Sequence, residues 1–347
     1  MKRSLVPFVL SVLSLLSAHC FATITIPTVP VGNPGNIFEL SGESAGGWGP
    51  DRVCGSVAYA YNIGKYEVTA AQYTDFLNKV AQTDTYGLYS TCMAEPVNYI
   101  GCNIQRTGTS GSYVYSVASD WANRPVNFVS YWDSCRFANW LHNGQPTGLQ
   151  TALTTEDGAY TISGYNDWDG HTIQRKAGWK WAITSEDEWY KAAYYKGGSA
   201  SAGYWDYPTS SDSAPGQDMA DTSGNNANYY TAPYAYPIDS GKYTTVAGEF
   251  QNSDSPYGTF DQGGNVWEWN EAIVFQDANY ACRGLRGGSF GSDVDYLQAS
   301  YRIILYGPSY EDYGVGFRVS AVVPEPSSIM ALAGGLVSLL GLRRRKA

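Results

Sequence analysis

Alternating apolar and polar residues predict a strand that leads into an amphipathic helix early in the chain. Residues 61–68 alternate in the manner of a half-buried strand. Thr69 and Gln72 follow at the spacing of a capping box, which marks the first turn of a helix. The apolar face of this helix comprises Tyr73, Phe76, Leu77 and Val80.

The same periodicity predicts two more helices. Residues 132–141 carry apolar side chains at helical spacing, and we interpret Cys135 among them as a small buried hydrophobe rather than a reactive thiol. Ser185 and Glu188 form a second capping box before another apolar face. Glu186 and Glu188 do not face each other on a helix, which favours capping and helix-dipole roles over acid/base chemistry.

Composition predicts a loop-rich globule with aromatic packing. The chain of 347 residues contains 29 Tyr, 11 Trp and 11 Phe but few long apolar runs. This combination argues against a helical bundle and against a parallel α/β sheet. Residues 197–226 are rich in Gly, Ser, Ala and Asp, which predicts a long surface loop. No fixed-period repeat is visible, so one domain is the simpler interpretation.

The beginning of the chain has the pattern of a secretory signal peptide. Lys2 and Arg3 precede an apolar run at 5–16, and small residues follow up to Ala22. We expect residues 1–22 to be removed by cleavage after Ala22. Residues 23–58 then form a leader strand or loose linker, and the domain itself is expected to span 59–320.

The end of the chain, residues 323–347, is organised as a sorting tail. A Pro-Glu-Pro run at 324–326 precedes an apolar stretch at 329–342 and four basic residues at 343–346. The apolar stretch would reach only about 21 Å as a helix, short of the roughly 30 Å hydrocarbon core, so length alone would fit a buried helix. Its position before a basic terminus favours a short transmembrane helix with its charges held in the cytoplasm. The order of segments resembles the PEP-CTERM sorting signal of Gram-negative bacteria, which implies processing by an exosortase.

Charge limits the classes of partner. The formal net charge is −10, and the terminal segments hold six of the 22 basic residues, so the remaining chain is strongly acidic. Phosphate backbones would repel such a chain, which makes nucleic acid an improbable partner and favours divalent cations.

Export would permit disulfides, and five cysteines remain after removal of the signal: Cys54, Cys92, Cys102, Cys135 and Cys282. An odd number leaves at least one unpaired unless it joins another chain. Cys92 and Cys102 bracket a short loop and are the best candidate pair. Neither the cysteine spacing nor the three widely separated histidines predicts a zinc or iron site.

Five motifs occur once each and in a consistent order: residues 64–69, 181–189, 264–269, 286–290 and 314–319. Together they resemble the formylglycine-generating enzyme (sulfatase-modifying factor) family, most clearly in Gly-Asn-Val-Trp-Glu-Trp at 264–269 and Arg-Gly-Gly-Ser-Phe at 286–290. The resemblance covers about three quarters of the chain. It implies a single domain with an irregular, loop-rich α+β fold of the C-type-lectin-like kind.

Catalytic members of this family hold copper with two cysteines that follow the Arg-Gly-Gly-Ser run. The resemblance places Ser292 and Leu297 at these positions. Copper(I) needs soft thiolates, which a hydroxyl and an isobutyl group cannot replace. Cys282 lies before the motif, about one strand earlier, and one thiol makes no pair. The chain is therefore expected to bind no copper and to lack the family's oxidation chemistry. Ser289 and Ser292 have no nearby histidine or lysine in the sequence to act as a base, which favours strand-end serines over nucleophiles.

The resemblance also implies calcium at the first of the two clearest motifs. The matching ligands are the Asp261 and Glu268 side chains with the carbonyl groups of Gly264 and Val266, and oxygen donors in a glycine-rich turn suit calcium. The alternative is purely structural, with Gly264 forming a turn while the tryptophans fill the core.

A second calcium site is implied less closely, because the spacing differs by a residue. It would comprise the Asn228 side chain, the Tyr229 carbonyl and Asp239.

Two functions stay open from the sequence. The first is a non-catalytic, calcium-stabilised binding or surface module for extracellular polysaccharide or an envelope protein, located in the cell envelope or outside the cell and transiently anchored by its tail. The alternative is an enzyme of the family with an altered active centre. We prefer the binding module, because the sequence offers only oxygen ligands where an enzyme would need a cluster of metal-competent side chains.

Overall fold

A computed structural model describes residues 23–94, 100–165, 173–231, 238–239, 241–278 and 280–323. The predicted signal peptide and the sorting tail lie outside these residues. The three helices are α1 (Ala70–Val80), α2 (Tyr131–His142) and α3 (Glu186–Tyr194). The strands are β1 (Thr28–Val31), β2 (Glu39–Ser41), β3 (Arg52–Cys54), β4 (Tyr61–Gly64), β5 (Ile104–Thr107), β6 (Val114–Val117), β7 (Trp181–Ile183), β8 (Trp267–Gln276), β9 (Ala281–Arg286), β10 (Val315–Phe317) and β11 (Val319–Val322).

All three predicted helices are present, and side chains cap each of them. Thr69 with Gln72 and Ser185 with Glu188 form the predicted capping boxes of α1 and α3. The third box, Ser130 with Asp133, begins α2 slightly before the predicted start. Each box satisfies amide groups that the first turn of a helix leaves without partners.

Two sheets organise the domain. The larger has the order β1-β4-β11-β7, and all of its neighbouring strands are antiparallel. The smaller has the order β10-β8-β9, in which β10 runs parallel and β9 antiparallel to β8. Two separate hairpins, β2-β3 and β5-β6, complete the described sheet structure.

The predicted strand at 61–68 is shorter in the structure, because β4 ends at Gly64. The backbone then turns, and the amide of Val68 donates to the carbonyl of Phe317 at 2.9 Å. The fold also begins before the predicted domain start at Tyr59. β1 pairs with β4 along its whole length, so the leader is part of the larger sheet.

The core is aromatic, as composition predicts. Phe76 on α1 packs against Phe137 and Trp140 on α2, with ring centroids 5.3 and 5.2 Å apart. Cys135 is fully buried within α2, and burial raises the pKa of its thiol. These contacts hold the helices against the sheets and leave the site residues on the connecting loops and on β8.

Candidate functional site

The two clearest motifs lie side by side on neighbouring strands. Glu268 on β8 pairs in register with Arg286 on β9, and the amide of Gly264 donates to the carbonyl of Gly287 at 2.8 Å. Gly264 has a φ of +81°, and a Cβ there would collide with the backbone of Asn228. Glycine is therefore required at this turn both for its conformation and for its close backbone contact.

The structure brings the two predicted copper positions together. A Cβ built on Gly288 would lie 3.5 Å from Ser292 Cβ and 2.8 Å from Leu297 Cδ1, so both residues lie beside Gly288. The Ser292 hydroxyl accepts from the Ser289 amide at 3.0 Å and lies 3.3 Å from the Ser289 hydroxyl. Leu297 is fully buried. The two residues that the resemblance aligns with the copper cysteines therefore lie near each other, and neither carries a thiol.

A groove of about 390 Å³ opens beside Ser292. Five of the residues that line it are aromatic: Trp48, Trp267, Tyr296, Tyr301 and Tyr306. The single charged side chain in its lining is Asp293. A cavity of this size, in which aromatic walls stand beside the polar groups of Ser292 and Asp293, has room for a small ligand.

The aromatic walls are built by three separate parts of the chain, which contribute Trp48, Trp267 and residues 296–306. Tyr296 and Tyr301 have ring centroids 4.4 Å apart, and Trp267 stands edge-on to Tyr296 at 5.8 Å. Trp48 comes from the loop between β2 and β3, bridges to the backbone of Tyr301 and is 50% exposed. The groove therefore presents one accessible indole beside a firmly packed aromatic group.

The first predicted calcium set is not free to bind a cation through Glu268. Arg318 donates to both of its carboxylate oxygens, Nε to Oε2 at 2.6 Å and Nη2 to Oε1 at 2.5 Å. Trp189 Nε1 adds a third bond to Oε2 at 2.7 Å. Because the guanidinium already neutralises this carboxylate, these residues do not fit calcium in the predicted arrangement.

Two further carboxyl groups lie in the same charged cluster. Burial raises the pKa of Asp261 to about 6, although the Gly248 amide, which donates to it at 2.6 Å, opposes the shift. Glu67 is 2% exposed, and burial followed by the charge of Asp261 raises its pKa well above the ordinary value. Its Oε1 accepts from Asn265 Nδ2 at 3.2 Å.

The three residues of the second predicted calcium site contact different partners. Asp239 forms an ion pair with Arg124, and the Tyr229 carbonyl accepts from Gln217. The amide of Asn228 donates to the Tyr243 carbonyl at 2.9 Å, whereas its Oδ1 is buried without a hydrogen-bond partner among the described residues. Asn228 therefore keeps an oxygen that could bind a cation. No group of three or more His, Cys, Asp or Glu residues in the described ranges could hold a metal ion.

The acids of α3 have a stronger role than capping alone. Glu186 accepts from Arg286 at 2.8 Å and from Arg302 at 2.9 Å, and Glu188 accepts from both terminal nitrogens of Arg175. Burial alone would raise the pKa of either carboxyl, but the arginines hold both pKa values below the ordinary range. These are buried ion pairs of the framework.

The cysteines are free thiols in the structure. Cys102 is buried and Cys92 is exposed. A Cβ on Gly101 would collide with the carbonyl oxygens of Cys92 and Met93, so the chain preceding Cys102 passes directly beside Cys92. Cys282 lies on β9, one strand before the copper positions, as predicted. The Cys92–Cys102 disulfide stays a prediction.

Sequence reasoning missed Glu67 and Arg318 as members of the charged cluster. Both residues lie inside recognised motifs, at 64–69 and 314–319. Each is a charged residue within an apolar run, and this pattern could have indicated a buried charge. A buried charge requires a partner of opposite charge. The identity of that partner is a tertiary property, because Arg318 and Glu268 are 50 positions apart.

Comparison with known families gives two matches. Residues 42–322 match the sulfatase-modifying factor enzyme 1-like domain, and residues 322–346 match the PEP-CTERM protein-sorting motif. The second match indicates export to the cell envelope and processing by exosortase-type sorting machinery, as predicted. Among the described residues, no helix combines the length and apolar character needed to cross a membrane.

Solved structures similar to this chain include CarF, with 18% identity, a TM-score of 0.53, and coverage of 86% of this chain and 99% of that one. Treponema denticola variable protein 1 has 19% identity and a TM-score of 0.49, with coverage of 87% of this chain and 99% of that one. PvdO from Pseudomonas aeruginosa has 19% identity and a TM-score of 0.48, with coverage of 85% of this chain and 94% of that one. No curated protein sequence matches. The predicted fold class, a loop-rich α+β single domain, is confirmed.

Proposed function

This chain belongs to the sulfatase-modifying factor enzyme 1-like family, and we propose that it is an exported, non-catalytic member that binds a ligand in its aromatic groove. The observation that carries the proposal is the proximity of Ser292 and Leu297, which both lie beside Gly288 and which the resemblance aligns with the copper cysteines of the family. Oxygen and alkyl groups are poor ligands for copper(I), which takes thiolates. The groove beside them keeps a volume of about 390 Å³ and its aromatic walls.

The lining of the groove favours a neutral polysaccharide as the ligand. Aromatic faces offer a large apolar surface to a flat ring, and hydroxyl groups of a sugar can pair with Ser292 and Asp293. Asp293 is the sole charged side chain of the lining, and the whole chain has a net charge of −10. An acidic glycan would meet repulsion both locally and from the whole protein.

We propose calcium only as a structural ion, bound at the second predicted calcium site. Asn228 Oδ1 is a buried oxygen that lacks a partner among the described residues. Together with the Tyr229 carbonyl and Asp239 it would hold the ion, which would take the place of Arg124 at Asp239 and of Gln217 at the Tyr229 carbonyl. Calcium would there connect the loop that carries Asn228 to the loop that begins at Asp239, which stiffens the frame around Gly264. Asn228 already contacts Gly264 through a backbone bridge.

Affinity electrophoresis of the exported protein tests the groove. Gels containing neutral glucans, mannans or galactans are compared with a gel containing a polyuronate. We expect at least one neutral polysaccharide to retard the protein, and Trp48→Ala to weaken that binding at least tenfold because it removes the accessible indole.

Phe38→Ala is the matched control. Phe38 precedes the same hairpin and is 57% exposed, but it does not line the groove. Equal losses from the two substitutions, or no retardation by any neutral polysaccharide, would contradict the proposal. Retention by an envelope protein that Trp48→Ala abolishes would assign the groove to a protein ligand instead.

A further inference from the structure

A second cavity, of about 360 Å³, is formed by residues different from those that line the aromatic groove. Its apolar walls are Ile26, Pro27, Ala71, Val246 and Ala247. Glu67 also lines it, although this glutamate is almost completely buried. A carboxyl group in the wall of an otherwise largely apolar cavity requires a physical explanation.

The Glu67 carboxyl is only half satisfied. Oε1 accepts from Asn265, whereas Oε2 has no hydrogen-bond partner among the described residues. The neighbouring Lys65 ammonium lies over the rings of Tyr66 and Phe260, 5.4 and 5.2 Å from their centroids. A buried acceptor without a donor costs about 1–3 kcal/mol, and more when it is charged. The site therefore favours any ligand that brings a donor.

The surroundings also lack positive charge. The charged groups that act on Glu67 are Asp261, Glu268 and Arg318. Arg318 is the single cation among them, and its Nε and Nη2 groups already donate to Glu268. Among the described residues, Glu67 is therefore left without a cation of its own.

A bare metal ion does not fit the cavity. Calcium takes six to eight oxygen ligands, whereas Glu67 is the single carboxylate among the ten described lining residues, and the side-chain oxygens of Thr69 and Gln72 are engaged in the capping box of α1. The aromatic ring of Tyr66 contributes a further wall, and its face attracts a cation. An ammonium group on a short apolar body would satisfy Glu67, Tyr66 and the apolar walls at once.

We propose that this cavity binds a small organic cation, an ammonium group attached to a few carbon atoms, with the ammonium donating to Glu67. This site is independent of the polysaccharide groove, because the two cavities share no lining residue. Binding adds a charge-assisted hydrogen bond, which is about twice as strong as a neutral one. The apolar body covers Ala71, Val246 and their neighbours.

The test uses n-butylammonium as the probe and n-butanol as its uncharged counterpart, with the exported protein in isothermal titration and thermal-shift measurements. We expect saturable binding of n-butylammonium, and binding of n-butanol at least tenfold weaker. Glu67→Gln keeps the shape and the bond to Asn265 but removes the charge, so it should weaken n-butylammonium binding at least tenfold.

Two further variants make the result interpretable. Ala71→Leu fills the cavity without altering Glu67 and should also abolish binding, which covers the case in which Glu67→Gln does not fold. Glu39→Gln alters a glutamate that bonds to Tyr190 and does not line the cavity, so it should bind as the unaltered protein does. Equal affinity for n-butanol, unchanged affinity in both cavity variants, or no saturable binding would overturn the proposal and leave water as the occupant.

Discussion

Arg318 and Glu268 form a bidentate ion pair in which neither side chain is exposed to solvent. Glu268 belongs to β8 of the smaller sheet, and Arg318 is the single residue between β10 and β11. Arg318 also donates to the carbonyl of Gly64 at 3.0 Å, at the end of β4 in the larger sheet. The pair thus connects the two sheets directly.

Arg318→Ala should destabilise the protein by about 3–5 kcal/mol, because it leaves the Glu268 carboxylate buried without a partner. Urea unfolding of the two proteins measures the difference. The control is Lys176→Ala, which breaks an ion pair whose two side chains, Lys176 and Asp157, are 41% and 44% exposed. Exposed pairs contribute about 0–1 kcal/mol. Similar losses in the two variants would show that burial does not set the strength of the pair.

Stability should be greatest at mildly acidic pH. Burial raises the pKa of Asp133 to about 6, and burial with the charge of Asp133 raises that of Glu311 to about 8. The native state therefore holds protons that the unfolded state releases between about pH 4 and 8, so stability falls as the pH rises through this range. Glu186 and Glu188 have lowered pKa values, so their contribution is present above about pH 4.5 and is lost on further acidification.

Chemical denaturation between pH 4 and 9 checks this profile. Glu311→Gln removes one of the raised groups and should flatten the decline between pH 5 and 8 without changing the acidic limb. A profile that rises steadily from pH 5 to 8 in the unaltered protein would contradict the assignment.

Calcium should raise the melting temperature. At a free concentration about 100 times Kd, binding to the native state alone adds about 2.7 kcal/mol, which corresponds to several degrees. Asn228→Ala should remove the increase because it deletes the unpartnered oxygen. Asp254→Asn, an acid outside the proposed ligands, should keep it. Identical melting in calcium and in chelator would remove calcium from the proposed function.

Two substitutions should restore a copper site. In Ser292→Cys combined with Leu297→Cys, both thiols point towards Gly288 and supply the pair that copper(I) prefers. Competition with a chromophoric copper(I) chelator should give one ion per chain for the double variant. The unaltered protein and the two single variants should give none. Equal retention of copper by a single variant would place the site elsewhere.

The exported protein should contain a disulfide between Cys92 and Cys102. Export permits oxidation, and the chain preceding Cys102 passes beside Cys92. Peptide mapping without reduction should recover the linked pair. Cys102→Ser should expose Cys92 to alkylation under native conditions, since it is the exposed thiol of the two. Complete alkylation of Cys92 in the unaltered exported protein would exclude the bond.

The helices could be predicted from the sequence because their signals are local. Capping boxes at Thr69 and Ser185 lie within four residues of the turns they begin. The box at Ser130 was missed because Asp133 replaces the usual Glu or Gln. The sequence also did not predict that β4 ends at Gly64. The hydrogen bond from the Val68 amide to the Phe317 carbonyl joins segments far apart in the chain, so no local pattern indicates it.

The sequence indicated which residues lie near the two clearest motifs, but not how their charges are paired. Ser292 and Leu297 lie close to each other beside Gly288. The pairing of Glu268 with Arg318 and of Asp239 with Arg124 was not foreseen, because ion pairs between distant residues leave no periodic pattern. Arg318 occupies both oxygens of the Glu268 carboxylate, which the resemblance alone would assign to calcium. The cavity at Glu67 arises in the same way, from segments that meet only in the folded chain.

The position of β11 constrains how the exported chain matures. This strand lies inside the larger sheet, between β4 and β7, yet it is the last strand of the domain and ends at Val322, where the sorting motif begins. β4 and β7 have no strand between them unless β11 is present, so the larger sheet is completed only by the residues that immediately precede the sorting motif. Formation of this sheet and the segment next to the sorting motif are therefore coupled.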